Sequence, residues 1–242
     1  MSSSSNNNNS IINSPNSNII NSFTNTTSYG STSNSSHQSG NSTKNTIQGN
    51  GVSKTIDVDI NPIRFDGIAV SSAIQVKFSL SDKNSIRVTA DSNLVDLVEF
   101  ILDDSTLVLG IKEGFGFSTQ SPIIVTIENS CLRKIKASNA AKFTASQLKG
   151  SKLSIKAHNA AVIKLSGDIE TVKIKAFNAS KVDAAELKAT DVKVRSHSAS
   201  KVAAYAGKSA NIKAESASSV AIHGQPPKRE FESEQFANIK FV

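Results

Sequence analysis

Cysteine is nearly absent from this 242-residue chain, Cys131 standing alone, and tryptophan is missing altogether. A single cysteine excludes an intramolecular disulfide, a four-cysteine zinc site and an iron–sulfur cluster, so nothing marks an oxidising compartment. Long apolar runs are missing too. None approaches the roughly 18 residues that a membrane-spanning helix requires, and the first thirty residues carry neither a basic nor an apolar leader region. These absences set the expectation of an intracellular, cytoplasmic protein. Charge is scarce at the N-terminus, where residues 1–50 hold 15 Ser, 13 Asn and 6 Thr but no acid and one base, Lys44. Such a segment cannot bury enough apolar surface to offset the entropy of ordering it, so residues 1–54 are expected to form a disordered, passive Asn/Ser-rich tail. Tracts such as Asn6–Asn9 support β-rich self-association in other contexts, and the sequons at Asn25, Asn34 and Asn41 would accept glycans in a secreted protein.

What the remainder, residues 55–242, does contain is a repeat. IKASNAAKF at Ile135 recurs as IKAHNAAVI at Ile155, IKAFNASKV at Ile174, VRSHSASKV at Val194 and IKAESASSV at Ile212. Weaker copies stand at Phe231 (FESEQFANI) and Ile68 (IAVSSAIQV), and the spacing is 18 to 20 residues. Each copy alternates apolar and polar residues, as Val172, Ile174 and Ala176 do with Lys173 and Lys175, which is the period of a strand with one buried face. A polar corner follows, with Asn139, Asn159 and Asn178 at one position and the small Ala140, Ala160, Ala179, Ala199 and Ala217 at the next. Asn tolerates left-handed backbone, and a tight bend with close backbone approach would account for the small residue. A second inward pair then follows, as in Phe143 with Ala145 or Val182 with Ala184, and Leu148, Ile169 and Leu187 supply a looser third side.

A unit of this length cannot close a core alone, whereas stacked copies bury a continuous column. The expected fold is all-β, a right-handed parallel β-helix with coils of 18–20 residues. Helical solenoids need longer repeats, and a left-handed hexapeptide helix would place an aliphatic residue at every sixth position, which these copies do not. Residues 84–131 depart from the repeat and read as an irregular N-terminal portion of the same stack, with Asp103-Asp104 as a hairpin turn.

Further residues carry a resemblance. The F-x-G-I-x-V pattern of Phe65 to Val70, SIRVTADSNL from Ser85, DDSTLVL from Asp103, the small-residue corners and the closing HGQPP of His223 to Pro227 resemble, in order and spacing, the head GIN domain family of putative auto-transporter adhesins. The resemblance runs over residues 63–242. It implies a right-handed parallel β-helix and an adhesin-like module with no established enzymatic activity or catalytic residues and, since many members are exported bacterial proteins, a cell-surface setting as the alternative to the cytoplasm.

Charge is the strongest functional signal in the residues themselves. Residues 132–224 hold 17 Lys plus Arg against 6 Asp plus Glu, a net +11, whereas residues 56–131 hold 5 against 11, a net −6. Stacking the repeats aligns Lys136, Lys156, Lys175, Arg195 and Lys213 in one outward column with Lys134, Lys173 and Lys193 beside it. These eight are the candidate partner-binding residues. One reading is a basic face for an acidic macromolecule, whether protein, glycan, nucleic acid or anionic lipid, with a linear polyanion lying along the stack. The competing reading is that lysine merely solubilises an exposed strand face.

Other chemistry has little to stand on. His158 and His197 share a repeat position but lie two rungs apart with Phe177 between, roughly 9.6 Å by strand spacing, too far to share a zinc ion. The coil acids Asp168, Glu170, Asp183, Glu186, Asp191 and Glu215 do not share a repeat position, as a carbohydrate-active β-helix enzyme would require, although three acids on one face would favour that alternative. Asp57 and Asp59 read as solvated edge residues and Cys131 as half-buried packing. No phosphate loop, nucleophile elbow or zinc-protease motif is present, so no cofactor, metal or catalytic residue is expected.

Overall fold

The computed structural model describes residues 17–19, 45–60 and 63–242. Strands Gly67–Val70, Lys134–Ala137 and the last four residues of Lys142–Ala157 pair in parallel, and the ladder continues through Val162–Ala176, Lys181–Ser196, Ser209–Ala214 and Lys228–Ser233. This is the first face of a β-solenoid of about five turns. Past the corner, a second parallel face runs from Gln75–Leu80 through the starts of the three long strands to Lys201–Tyr205, Ser219–His223 and Asn238–Phe241. The register reproduces the repeat residue for residue: Ile68, Ile135, Ile155, Ile174, Val194, Ile212 and Phe231 are successive partners. The first of these coils therefore lies beside one that follows it by 67 residues (Ile68↔Ile135), and residues 81–133 are an excursion from the stack.

The excursion covers one end of the column. Val98–Asp103 and Thr106–Ile111 form the expected hairpin, with Asp104 at φ +51, and the second of them extends the first face beyond Gly67–Val70. Ile124–Asn129 extends the second face beside Gln75–Leu80, followed by the antiparallel strands Ser85–Asp91 and Ser53–Val58. The boundary expected after residue 54 thus falls inside a strand. Strand Asn45–Gln48, paired with Phe115–Ser118, lies upstream of it, as does Ser17–Ile19, which pairs antiparallel with Val98–Asp103. Residues 1–16 and 20–44 of the expected tail lie outside the described residues.

The core is a set of columns. Ile68, Ile135, Ile155, Ile174, Val194 and Ile212 are all buried, as are Val76, Phe143, Ile163, Val182, Val202 and Val220 on the second face. Each such side chain contributes roughly 1.5–3 kcal/mol by leaving water. On the third side the register jumps, so that Leu148 and Leu187 align through Gly167 while Ile169 aligns with Gly150 and Ala189. Gly167 has φ +132, and a β-carbon there would lie 2.2 Å from the carbonyl oxygen of Leu148.

At the corner the structure corrects the packing rationale. Each bend contains two consecutive residues at positive φ: Asn139 and Ala140 at +52 and +60, Asn178 and Ala179 at +52 and +57, Ser198 and Ala199 at +54 and +56. That is the signature of a mirror-image tight turn. The corner alanines are exposed, and in the last coil Phe236 holds the same position, 98% exposed. Space there is ample. The tightly buried small residue is the next one: Ala141, Ala161, Ser180, Ser200 and Ser218. Where it is Ser, the hydroxyl accepts from the backbone N–H three residues earlier and donates to a carbonyl of the preceding coil, as Ser200 does with His197 and Ala176.

Two substitutions separate strain from packing. Gly167→Ala is expected to cost roughly 3 kcal/mol, since both the backbone region and the space exclude it. Ala179→Gly is expected to stabilise by up to about 1 kcal/mol by relieving a left-handed alanine, and Ala179→Leu to cost less than about 1 kcal/mol. Urea denaturation of the three variants measures all of these differences.

Candidate functional site

The residues before the corner alternate inward and outward, and the shared register turns that alternation into rows. One outward row reads Ala69, Lys136, Lys156, Lys175, Arg195, Lys213, Glu232; the other reads Gly67, Lys134, Ser154, Lys173, Lys193, Asn211, Glu230. All eight candidate residues therefore project from one face. Adjacent rungs lie ~4.8 Å apart.

The eight are not equivalent. No salt bridge among the described residues engages Lys156, Lys173, Lys175, Lys193 or Arg195. Lys213 is held by Glu215 at 3.1 Å, Glu232 at 3.2 Å and Glu234 at 3.8 Å. Those contacts raise the Lys213 pKa, the hydrogen bond with Glu215 foremost. Its charge is spent inside the protein, which leaves seven. At the other end of the block Lys134 donates to the Thr106 hydroxyl at 3.2 Å. Lys136 beside it is pushed below the ordinary lysine range by desolvation first, then by the charges of Lys134 and Lys156.

Two groups near the face are not anticipated by the eight. The last coil puts Glu230, Glu232 and Glu234 together around Lys213 and Lys228. Glu230 accepts from Asn211 at 2.7 Å, its largest stabilisation as a carboxylate, and lies 3.4 Å from Lys228. These acids do share one outer face, but each is engaged by a lysine. Earlier coil acids are interleaved with bases, Asp168 between Lys149 and Lys188 and Asp183 beside Lys164. The second group is Lys142, Lys181 and Lys201, exposed at the first position past the corner on the adjoining face. Their shared place in the repeat is readable in the sequence; what hides them is that the corner divides one surface into two strand patterns.

Between the two faces runs a polar ladder. Asn159 donates its amide to Asn139 and Asn178 donates to Asn159, both at 3.0 Å, and the Asn178 amide also meets His158 Nε2 at 3.3 Å. His197 contacts the hydroxyls of Ser198 and, at 3.3 Å, Ser216. The His158 and Phe177 rings lie 6.2 Å apart, so the histidines are corner residues spaced along the stack, as their repeat position implies. Asp57 is exposed, as expected, and pairs with Arg87 at 2.8 Å. Cys131 is half-buried, at the rim of a polar cleft lined in part by Arg64 and Arg133. No helix among the described residues is long and apolar enough to cross a membrane.

Residues 64–226 match the model of the family described as putative auto-transporter adhesin, head GIN domain. The crystal structure of a putative adhesin from Bacteroides fragilis NCTC 9343 is similar with a TM-score of 0.68 at 17% identity, over 81% of this chain and 100% of that one. A putative adhesin from Parabacteroides merdae ATCC 43184 gives 0.53 at 17% identity, over 82% and 99%. At these identities the structural likeness is one of fold. A comparison with curated proteins gives no match. The family match, by contrast, spans well over half of the sequence and contains the solenoid coils that carry the basic face, so this chain belongs to the head GIN domain family.

Proposed function

We propose that this protein is a non-enzymatic, adhesin-like β-solenoid module whose basic face holds an acidic macromolecule. The observation that carries this reading is the in-register block of Lys134, Lys136, Lys156, Lys173, Lys175, Lys193 and Arg195, five of them engaged in no salt bridge among the described residues. Like charges on neighbouring strands disfavour one another by a few tenths of a kcal/mol per pair, a cost that a bound polyanion offsets. A merely solubilising surface would be served equally well by alternating signs, the arrangement found where Asp168 stands between Lys149 and Lys188. The acids that a carbohydrate-active enzyme would need in one place are tied to Lys213 and Lys228, which supports binding over catalysis. The adhesin description of the family supports a cell-surface setting in place of the cytoplasmic one.

Lys156→Gln, Lys175→Gln and Arg195→Gln combined are expected to preserve the circular dichroism spectrum and to reduce binding to an acidic partner sharply. Affinity of the parent is expected to fall steeply as salt is raised. A captured acidic partner that binds the triple variant as it binds the parent would return this face to a solubilising role.

Lys136 gives a check that needs no partner. Its folded-state pKa is depressed, so its charge opposes folding at neutral pH, and the penalty lifts as pH rises through that depressed value. Lys136→Gln should therefore raise the melting temperature at neutral pH, and the gain should vanish in strongly alkaline solution, as thermal melts at the two conditions will show.

A further inference from the structure

The two rows of the basic face run parallel to the solenoid axis, yet both meet carboxylates at the C-terminal end and one of them meets a carboxylate at the other. Toward the C-terminus they run directly into Glu230 and Glu232. Toward the N-terminus they cross the uncharged Gly67 and Ala69, then Thr106 and Val108, and arrive at Asp103 and Ile101. A long polyanion laid along the axis would therefore be repelled at each end of a cationic stretch only about four rungs, roughly 15 Å, long.

The path around the solenoid is different. Lys175 and Lys181 flank the corner of one coil, Arg195 and Lys201 that of the next, and Lys136 and Lys142 that of an earlier one, all of them outward. On the following coil the pattern ends, since Lys213 is paired with Glu215 and Ser219 takes the position past the corner. Crossing the corner thus carries an anion from cation to cation. The surface between them is made of amide, hydroxyl and imidazole groups. Asn139 keeps its amide nitrogen, and Asn178 its amide oxygen, without a partner among the described residues, because the ladder uses the opposite group of each. Donors and acceptors of this kind suit the hydroxyl groups of a sugar, and the half-exposed ring of Phe177 offers an apolar surface beside them. A single-stranded nucleic acid would call for a row of stacking rings, where this corner has one phenylalanine.

We infer that the partner is an acidic glycan strand that crosses the Asn/His corner, running around the solenoid rather than along it, with Lys175, Arg195, Lys181 and Lys201 as its main contacts. This rests on the basic-face reading above and adds the partner's class and direction.

The test uses the full chain and a fluorescent heparin octasaccharide at low salt, with anisotropy as the readout and circular dichroism as the check on folding. Lys175→Gln with Arg195→Gln, and separately Lys181→Gln with Lys201→Gln, are each expected to weaken binding by on the order of tenfold. If the second pair binds as the parent does while the first is weakened, the strand follows the axis and the inference falls, with the basic face intact. A parent that fails to bind the octasaccharide and a single-stranded oligothymidylate alike, or a first pair without effect, overturns the basic-face reading itself. Tighter binding of the oligothymidylate at matched charge overturns the choice of a glycan.

Discussion

The bend shared by every coil, two residues in the left-handed region, is the constraint on which the rest of this molecule depends. An L-residue held there costs on the order of 1 kcal/mol, so a chain that repeats the bend seven times must recover the cost elsewhere. It does so between coils. The N–H of the second bend residue donates to the carbonyl of the first bend residue one coil on, as Ala140 does to Asn159, Ala160 to Asn178 and Ala179 to Ser198, each at 2.9 Å. The asparagine side chains add a second ladder outside the first. With the bends stacked atom over atom, the strands on either side have no freedom of register, and a slip of one residue would turn every isoleucine of the core columns toward water.

Fixed register has an electrostatic consequence. Lysines separated by 19 or 20 residues in the chain become neighbours one strand spacing apart, so a weak preference for lysine at one repeat position becomes a dense cationic surface. The protein does not moderate this within the block. It does so at the margin, where Glu215, Glu232 and Glu234 surround Lys213 and end the field. A cationic patch with an acidic boundary discriminates by size and direction as well as by sign. The coil that ends at Val242 serves as that boundary, and in it Arg229, at an inward position, lies over the Phe241 ring at 4.4 Å.

Much of this is legible in the residue patterns, and what is not has physical reasons. The alternation around Ile174 revealed the buried face, and the constant spacing revealed the stack, because a parallel ladder preserves offsets. The small corner alanines pointed to crowding and are in fact exposed; the property selected there is backbone conformation, for which size is a poor proxy, as Phe236 shows. Lys142, Lys181 and Lys201 escaped notice because a sequence pattern stops at a bend, whereas a surface continues around it. The acids of the last coil are hidden in the sequence by the degeneracy of its repeat.

The period, the buried columns and the sign of the face are readable in the residues, since each follows from local alternation multiplied by a constant offset. Which of those charges remain available depends on contacts that form only once the coils are stacked. The contacts of Lys213 with Glu232 and Glu234 and the placement of Asp103 at the far end of the rows arise between residues far apart in the chain, and the meeting of two basic strips depends on the bend that separates them. They depend on where the 81–133 excursion returns to the stack and on how sharply each coil bends, and those are properties of the closed solenoid rather than of any one repeat.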